Sequence, residues 1–283
     1  MPQTAWEIEG SESLPLLGDT AAPAGDARAC AVIVHGYKGY KDYGMFPAIA
    51  ATLAGAGVVA HRFNLAHSGM TNETETFARP DLFERDTWTH QVEDIRAVVR
   101  AVRSGAIAGG GLPMFLIGHS RGGVSCVLAA GRCAEELDLA GLVTINAPAT
   151  CCSLSESGRD ALLERGHLET ASARTGQTLR VGVGWLRDQI EHPELHHVAL
   201  QASRVACPAL VIRGDADETV APASADVIAG AMGRRARVLS IPGGNHVLNT
   251  PNPHPAAGPH SGELTAAIDA ITRFVLDGVA SRT

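Results

Sequence analysis

Residues 114–124 read Met114-Phe115-Leu116-Ile117-Gly118-His119-Ser120-Arg121-Gly122-Gly123-Val124, an apolar run, then a G-x-S-x-G motif, then the start of a run of small residues. The run Met114 to Ile117 fits a buried strand and Gly123 to Arg132 fits a helix. A G-x-S-x-G placed at such a strand-to-helix turn holds its serine in a strained conformation with the hydroxyl exposed. The flanking glycines are required because side chains there would collide with neighbouring backbone.

On either side, further short apolar runs recur at Cys30 to Val34, Val58 to Phe63, Leu142 to Ile145, Ala209 to Ile212 and Val238 to Ile241. They are continuous rather than alternating, as in strands covered on both faces, and stretches of helical spacing separate them. That succession predicts βαβ units around a mainly parallel sheet, an α/β fold with helices on both faces. Trp88 to Arg103 carries Val92, Ile95, Val98, Val99 and Val102 on one face, with Asp86 or Thr87 as N-cap. Phe46 to Leu53, Pro222 to Met232 and Leu264 to Leu276 read as shorter helices, the last capped by Ser261. Trp6 to Glu9 and Leu14 to Leu17 suggest an antiparallel edge, with Pro15 interrupting the second run.

From Pro148 to Arg204 the rhythm changes to a polar, helical pattern without a clear strand. Structureless loops beyond about 12–15 residues are uncommon in compact domains, so this stretch is expected to be a lid. The division is therefore a core of residues 1–147 and 205–283 and a helical cap of residues 148–204. Pro251 to Pro259 reads as an irregular surface loop.

Serine is a weak nucleophile at its own pKa and needs a base, and the base needs an orienting group. In a sheet of this kind the partners follow in the order Ser, acid, His. After Ala209 to Ile212 comes Arg213-Gly214-Asp215-Ala216-Asp217-Glu218, and after Val238 to Ile241 comes Pro242-Gly243-Gly244-Asn245-His246. Both leave the carboxyl ends of predicted strands, where open α/β sheets build their sites. Asp217 is favoured over Asp215, a turn residue, and Glu218, a solvated charge. His246 is chosen over the other histidines because it is the first after the last predicted strand. His192, His196 and His197 are read as solvated cap surface. The oxyanion of a tetrahedral intermediate would be held by the backbone N–H groups of Arg121 and Tyr37, the latter in His35-Gly36-Tyr37-Lys38-Gly39 directly after the first parallel strand. His119 and Trp185 are candidate substrate contacts, with Leu186 and Ile190 on the same cap face as Trp185.

The chain has 283 residues, 45% of them hydrophobic and 19% charged, which allows a large core and excludes a disordered chain. A formal charge of -7 with no basic run argues against a nucleic-acid partner. No apolar run approaches the roughly 20 residues of a membrane span, and no leader pattern opens the chain, so a cytoplasmic location is expected. The six cysteines are scattered and read as structural, Cys151-Cys152 being the one exposed-looking pair.

Taken with the loop Arg62-Phe63-Asn64 and His67-Ser68-Gly69, the oxyanion segment, the Ser120 elbow, Asp217 and His246 resemble the α/β-hydrolase superfamily, and within it small bacterial capped serine esterases of the cinnamoyl-esterase-like and dienelactone-hydrolase-like kind. The resemblance covers nearly the whole chain. It implies hydrolysis of carboxylic esters through an acyl-enzyme, without cofactor or metal, on a small-molecule acyl substrate chosen by the cap. The departure is His67-Ser68-Gly69, where the family commonly has His-Gly. An aminopeptidase, amidase or acyltransferase on the same three residues, or a non-catalytic receptor keeping the fold, are the alternatives.

Overall fold

The computed structural model describes residues 3–281. The chain opens with β1 (Gln3–Glu9) and β2 (Pro15–Ala21), an antiparallel hairpin in which Pro15 is the first residue of its strand, opposite Glu9, where a missing N–H costs least. Then follow β3 (Ala29–Val34), α1 (Phe46–Gly55), β4 (Val58–Phe63), α2 (Pro80–Arg85), α3 (Trp88–Ser104), β5 (Met114–His119), α4 (Arg121–Arg132), α5 (Ala134–Leu137) and β6 (Gly141–Ile145). An insertion carries α6 (Glu156–Arg165), β7 (His167–Ala171), β8 (Thr178–Gly182), α7 (Gly184–Glu191) and α8 (Val198–Arg204). The chain ends with β9 (Ala209–Gly214), α9 (Ala223–Met232), β10 (Ala236–Ile241) and α10 (Gly262–Ala280).

Eight strands form one sheet in the order β1-β2-β4-β3-β5-β6-β9-β10, parallel from β4 to β10, with β2 antiparallel to β4. β3, β4, β5 and β6 are buried along their whole length, because α1 and α10 cover one face and α3, α4 and α9 the other. The α/β reading of the sequence holds. The edge strand β10 departs from it: Val238 is exposed, since no strand lies beyond it. Thr87 caps α3 by accepting from His90 N–H, and Ser261 caps α10 by accepting from Leu264 N–H, each satisfying a first-turn donor. No helix among the described residues is long and apolar enough to cross a membrane.

Three expectations are corrected. The insertion is not helical throughout: β7 and β8 pair as an antiparallel hairpin, Thr170 opposite Leu179, because Leu168, Leu179 and Val181 set a short alternation that the surrounding polar residues obscure. His196 is not solvated; it is buried, with Nδ1 bonded to the His192 carbonyl and Nε2 3.0 Å from Asp188 Oδ2. Cys151 is buried too, its carbonyl accepting from Trp88 Nε1–H, and burial pushes its thiol up to about 12.

Candidate active site

The nucleophile elbow is built by crowding. Ser120 sits between β5 and α4 at φ 53°, ψ -124°, a conformation L-residues rarely adopt. A Cβ at Gly118 would lie 2.4 Å from the Gly122 carbonyl oxygen, and one at Gly122 would lie 2.3 Å from that of His35. Neither position tolerates a side chain, so the backbones of β3, β5 and α4 meet at the serine. Ser120 N–H donates to the Ile145 carbonyl at 2.8 Å, tying the turn to β6.

The structure brings Ser120, His246 and Asp217 together in one row. The Ser120 hydroxyl donates to His246 Nε2 at 3.0 Å, and His246 Nδ1–H donates to Asp217 Oδ2 at 2.9 Å. Asp217 is buried, and its other oxygen accepts from the N–H groups of Thr219 and Val220 at 2.8 and 3.0 Å. Those bonds fix the carboxylate, leaving one oxygen to hold the imidazole tautomer that presents a lone pair to serine. Asp215 is exposed and accepts instead from Gly243 N–H at 2.7 Å, which braces the turn before His246; Glu218 is exposed.

Tyr37 lies in the loop after β3 and Arg121 directly follows Ser120. Arg121 is the first residue of α4, so its N–H has no intrahelical acceptor. The Gly36 carbonyl accepts from Gly39 N–H at 3.0 Å and from His35 Nδ1–H at 2.9 Å. Leu65 N–H donates to His35 Nε2, which fixes the tautomer, and burial holds the ring neutral with a pKa of about 4. Because the peptide is planar and trans, anchoring the Gly36 oxygen on one side turns the Tyr37 N–H to the other.

A cavity of about 220 Å³ opens at this point, lined by Gly36, Tyr37, Lys38, Gly39, Tyr43, Phe46, His119, Ser120, Ser172, Ala173, Arg174, His246 and Val247. A wider depression of about 650 Å³ between β10 and α10 holds none of the candidate residues and no nucleophile beside a base. His119 borders the cavity, but its Nε2–H is committed to the His246 carbonyl at 2.8 Å, and burial lowers its pKa to about 3. Trp185 does not line it. That ring, with Leu186, is buried in the core cluster that includes α3 and α4, while Ile190 is exposed. The Arg121 guanidinium lies over Trp88 at 4.6 Å, with Tyr37 and Trp185 at 5.5 and 5.8 Å, and 3.0 Å from Asp86. Burial raises the Asp86 carboxyl, against the pull of Arg121.

The roof is the hairpin turn, residues 172–174, which sequence reasoning did not single out. Lys38 ties it to the loop after β3, donating to Thr170 Oγ1 at 2.7 Å and to the Ala171 carbonyl at 2.5 Å. Asn146 was missed as well: it follows β6 at φ 50°, accepts from Gly214 N–H at 2.7 Å and donates to the Asn245 and His246 carbonyls. Its only sequence signal is a polar residue at the carboxyl end of an apolar strand.

A mainly parallel eight-stranded sheet with a strained serine elbow after β5 and an Asp and a His after its last two strands is the architecture of the α/β-hydrolase fold, and the chain has that fold. More particularly, residues 25–163 match the family model described as serine aminopeptidase, S33. No curated protein sequence matches the chain. Among solved structures it is similar to Est1E from Butyrivibrio proteoclasticus with ferulic acid bound (19% identity, TM-score 0.70, 98% of this chain and 100% of that one). It is also similar to the esterase domain of a Rhodothermus marinus protein (17%, 0.65, 97% and 98%) and to dienelactone hydrolase from Anabaena variabilis (16%, 0.64, 98% and 97%). At these identities the likeness is one of fold.

Proposed function

We propose that this chain is a carboxylesterase acting on a small or medium-sized ester. Ser120, with His246 as general base, attacks the acyl carbonyl; the Tyr37 and Arg121 N–H groups take the oxyanion; Asp217 orients and stabilises the imidazolium. His246 then protonates the departing alkoxide, and water, activated by the same imidazole, releases the acid. The observation that carries this reading is the continuous row Ser120–His246–Asp217, with contacts of 3.0 and 2.9 Å, on a serine of positive φ. Residues 148–204 act as a cap whose hairpin turn bounds the acyl or alcohol group. Two structures of the same fold, Est1E with ferulic acid bound and the Rhodothermus marinus esterase domain, support the substrate class.

The family match raises a second reading, an aminopeptidase. Such an enzyme must neutralise a substrate α-ammonium in its pocket. The cavity lining has no carboxylate and two cations, Lys38 and Arg174, which favours an ester with neutral or anionic character. The test is hydrolysis of a p-nitrophenyl ester panel beside aminoacyl p-nitroanilides, with fluorophosphonate labelling. Labelling and ester turnover that both vanish in Ser120→Ala support the proposal; anilide turnover exceeding ester turnover would reject it.

A further inference from the structure

Away from the serine, three segments distant in sequence place Glu12, His67 and His90 together. Glu12 lies in the turn between β1 and β2, His67 in the loop after β4, and His90 in the first turn of α3. His67 Nε2 is 3.0 Å from Glu12 Oε2, and His90 Nε2 is 3.6 Å from Glu12 Oε1. The two imidazoles stack at 4.0 Å with 13° between their planes, so the partly exposed His90 ring has to turn about its side-chain torsions to bring its Nε2 lone pair onto an ion held by His67. With metal–ligand bonds of about 2.0–2.1 Å, adjacent donors in a tetrahedral site stand roughly 3.3 Å apart. The two distances, each to a different Glu12 oxygen, stand on either side of that value, and one donor atom from each of the three residues lies within 4.8 Å of the others.

The outer groups fit an ion as well. His67 is fully buried and its Nδ1 is held by Ser11 Oγ at 3.2 Å, while Ser11 N–H donates to Asp94 Oδ1 at 2.8 Å. A hydroxyl gives or takes a proton equally well, so Ser11 can accept from His67 Nδ1–H and leave Nε2 free to bind, the arrangement usual for a ligating histidine. His90 supplies a separate observation. Its Nδ1 is buried without a partner, and its Nε2 faces Glu12 Oε1 at 3.6 Å on the partly exposed side of the ring, beyond hydrogen-bond distance. Glu12 is partly exposed and gives solvent a path in, and its charge is met by the exposed Arg85 guanidinium, a cation that an ion would displace.

We propose that Glu12, His67 and His90 form a binding site for a divalent first-row transition ion, Zn²⁺ by preference, with water as fourth ligand. Two imidazoles and one carboxylate select such an ion over Mg²⁺ or Ca²⁺. None of the three residues lines the cavity at Ser120, so the ion clasps the β1–β2 turn, the loop after β4 and the start of α3 without entering the hydrolytic steps.

The test is equilibrium dialysis of the tag-free, chelator-stripped chain against Zn²⁺, with Co²⁺ as a spectroscopic probe. One tightly held ion per chain is expected, with the visible band of a four-coordinate cobalt site. Glu12→Gln and His90→Phe, which keep volume and stacking, should weaken binding on the order of a hundredfold. Arg85→Ala should strengthen it several-fold by removing the competing cation. Circular dichroism melts of the metal-free variants establish that they fold, and ester turnover should stay within about twofold of wild type. Absence of a saturable ion, or an affinity indifferent to both Glu12→Gln and His90→Phe, overturns the proposal. So does weaker binding in Arg85→Ala.

Discussion

The Asn146 side-chain amide donates to the His246 main-chain carbonyl over 2.9 Å, while its own carbonyl receives Gly214 N–H over 2.7 Å. One buried residue thus joins the end of the strand that leads to Asp217 to the loop that presents His246. Asn146→Ala removes these bonds and leaves the buried Gly214 N–H unpaired, at about 1–3 kcal/mol where water does not replace the partner, while the His246 carbonyl keeps its bond from His119. Urea unfolding should show a loss of about 1–3 kcal/mol, and kcat/KM for a p-nitrophenyl ester should drop at least tenfold. Asn146→Asp should be worse than Ala, because it sets a carboxylate against two carbonyl oxygens.

The division of labour between the two aspartates is open to a direct comparison. Asp217→Asn should lower kcat by roughly 10⁴, because an amide no longer enforces the His246 tautomer. Asp215→Asn should retain activity within a few-fold, since an amide oxygen still accepts from Gly243 N–H. A larger loss at Asp215 would reverse the assignment.

His35 acts through the Gly36–Tyr37 peptide. His35→Ala frees the Gly36 carbonyl from its side-chain donor and lets the Tyr37 N–H wander, so kcat should fall about tenfold to a hundredfold with KM little changed. His35→Asn, whose amide can still donate to a nearby carbonyl, should recover part of the loss. A change confined to KM would mean that His35 shapes the cavity instead.

Stability should fall on acidification. His35 and His61 are held at about 4 and His119 at about 3, each by burial, against an ordinary value of 6.5. Below pH 6.5 the unfolded chain takes up protons that the native chain refuses, so stability declines as pH falls from 6.5 toward 4. Each such group contributes a slope of up to about 1.4 kcal/mol per pH unit. Asp94 opposes the trend: burial raises its carboxyl to about 7, so its share of stability declines as pH rises through that value. Urea midpoints between pH 4 and 7 should show the histidine-driven slope prevailing, and His119→Gln should flatten it by one proton.

The sheet, its helices and the Ser120–Asp217–His246 row were legible because each rests on a local signal: a buried strand, a turn demanding glycine, a strand end followed by a polar residue. Asn146, His35 and His119 act by bonding to the backbone of other segments, which no spacing encodes. The hairpin was hidden because five-residue strands on a partly exposed cap carry little hydrophobic alternation. Trp185 was drawn toward the substrate by its position in the cap, whereas a large apolar ring gains more from the core. Glu12, His67 and His90 share no motif; only the folded chain makes them neighbours.

The insertion leaves the sheet after β6 and returns at β9, and those two strands are adjacent and parallel. Exit and re-entry therefore lie side by side, like the two jaws of a tool holder. A different hairpin can be fitted there without rerouting any strand. On the proposed function, selectivity is in that sense an interchangeable part, and libraries restricted to residues 167–182 offer a way to retool it while Ser120, His246 and Asp217 stay as they are.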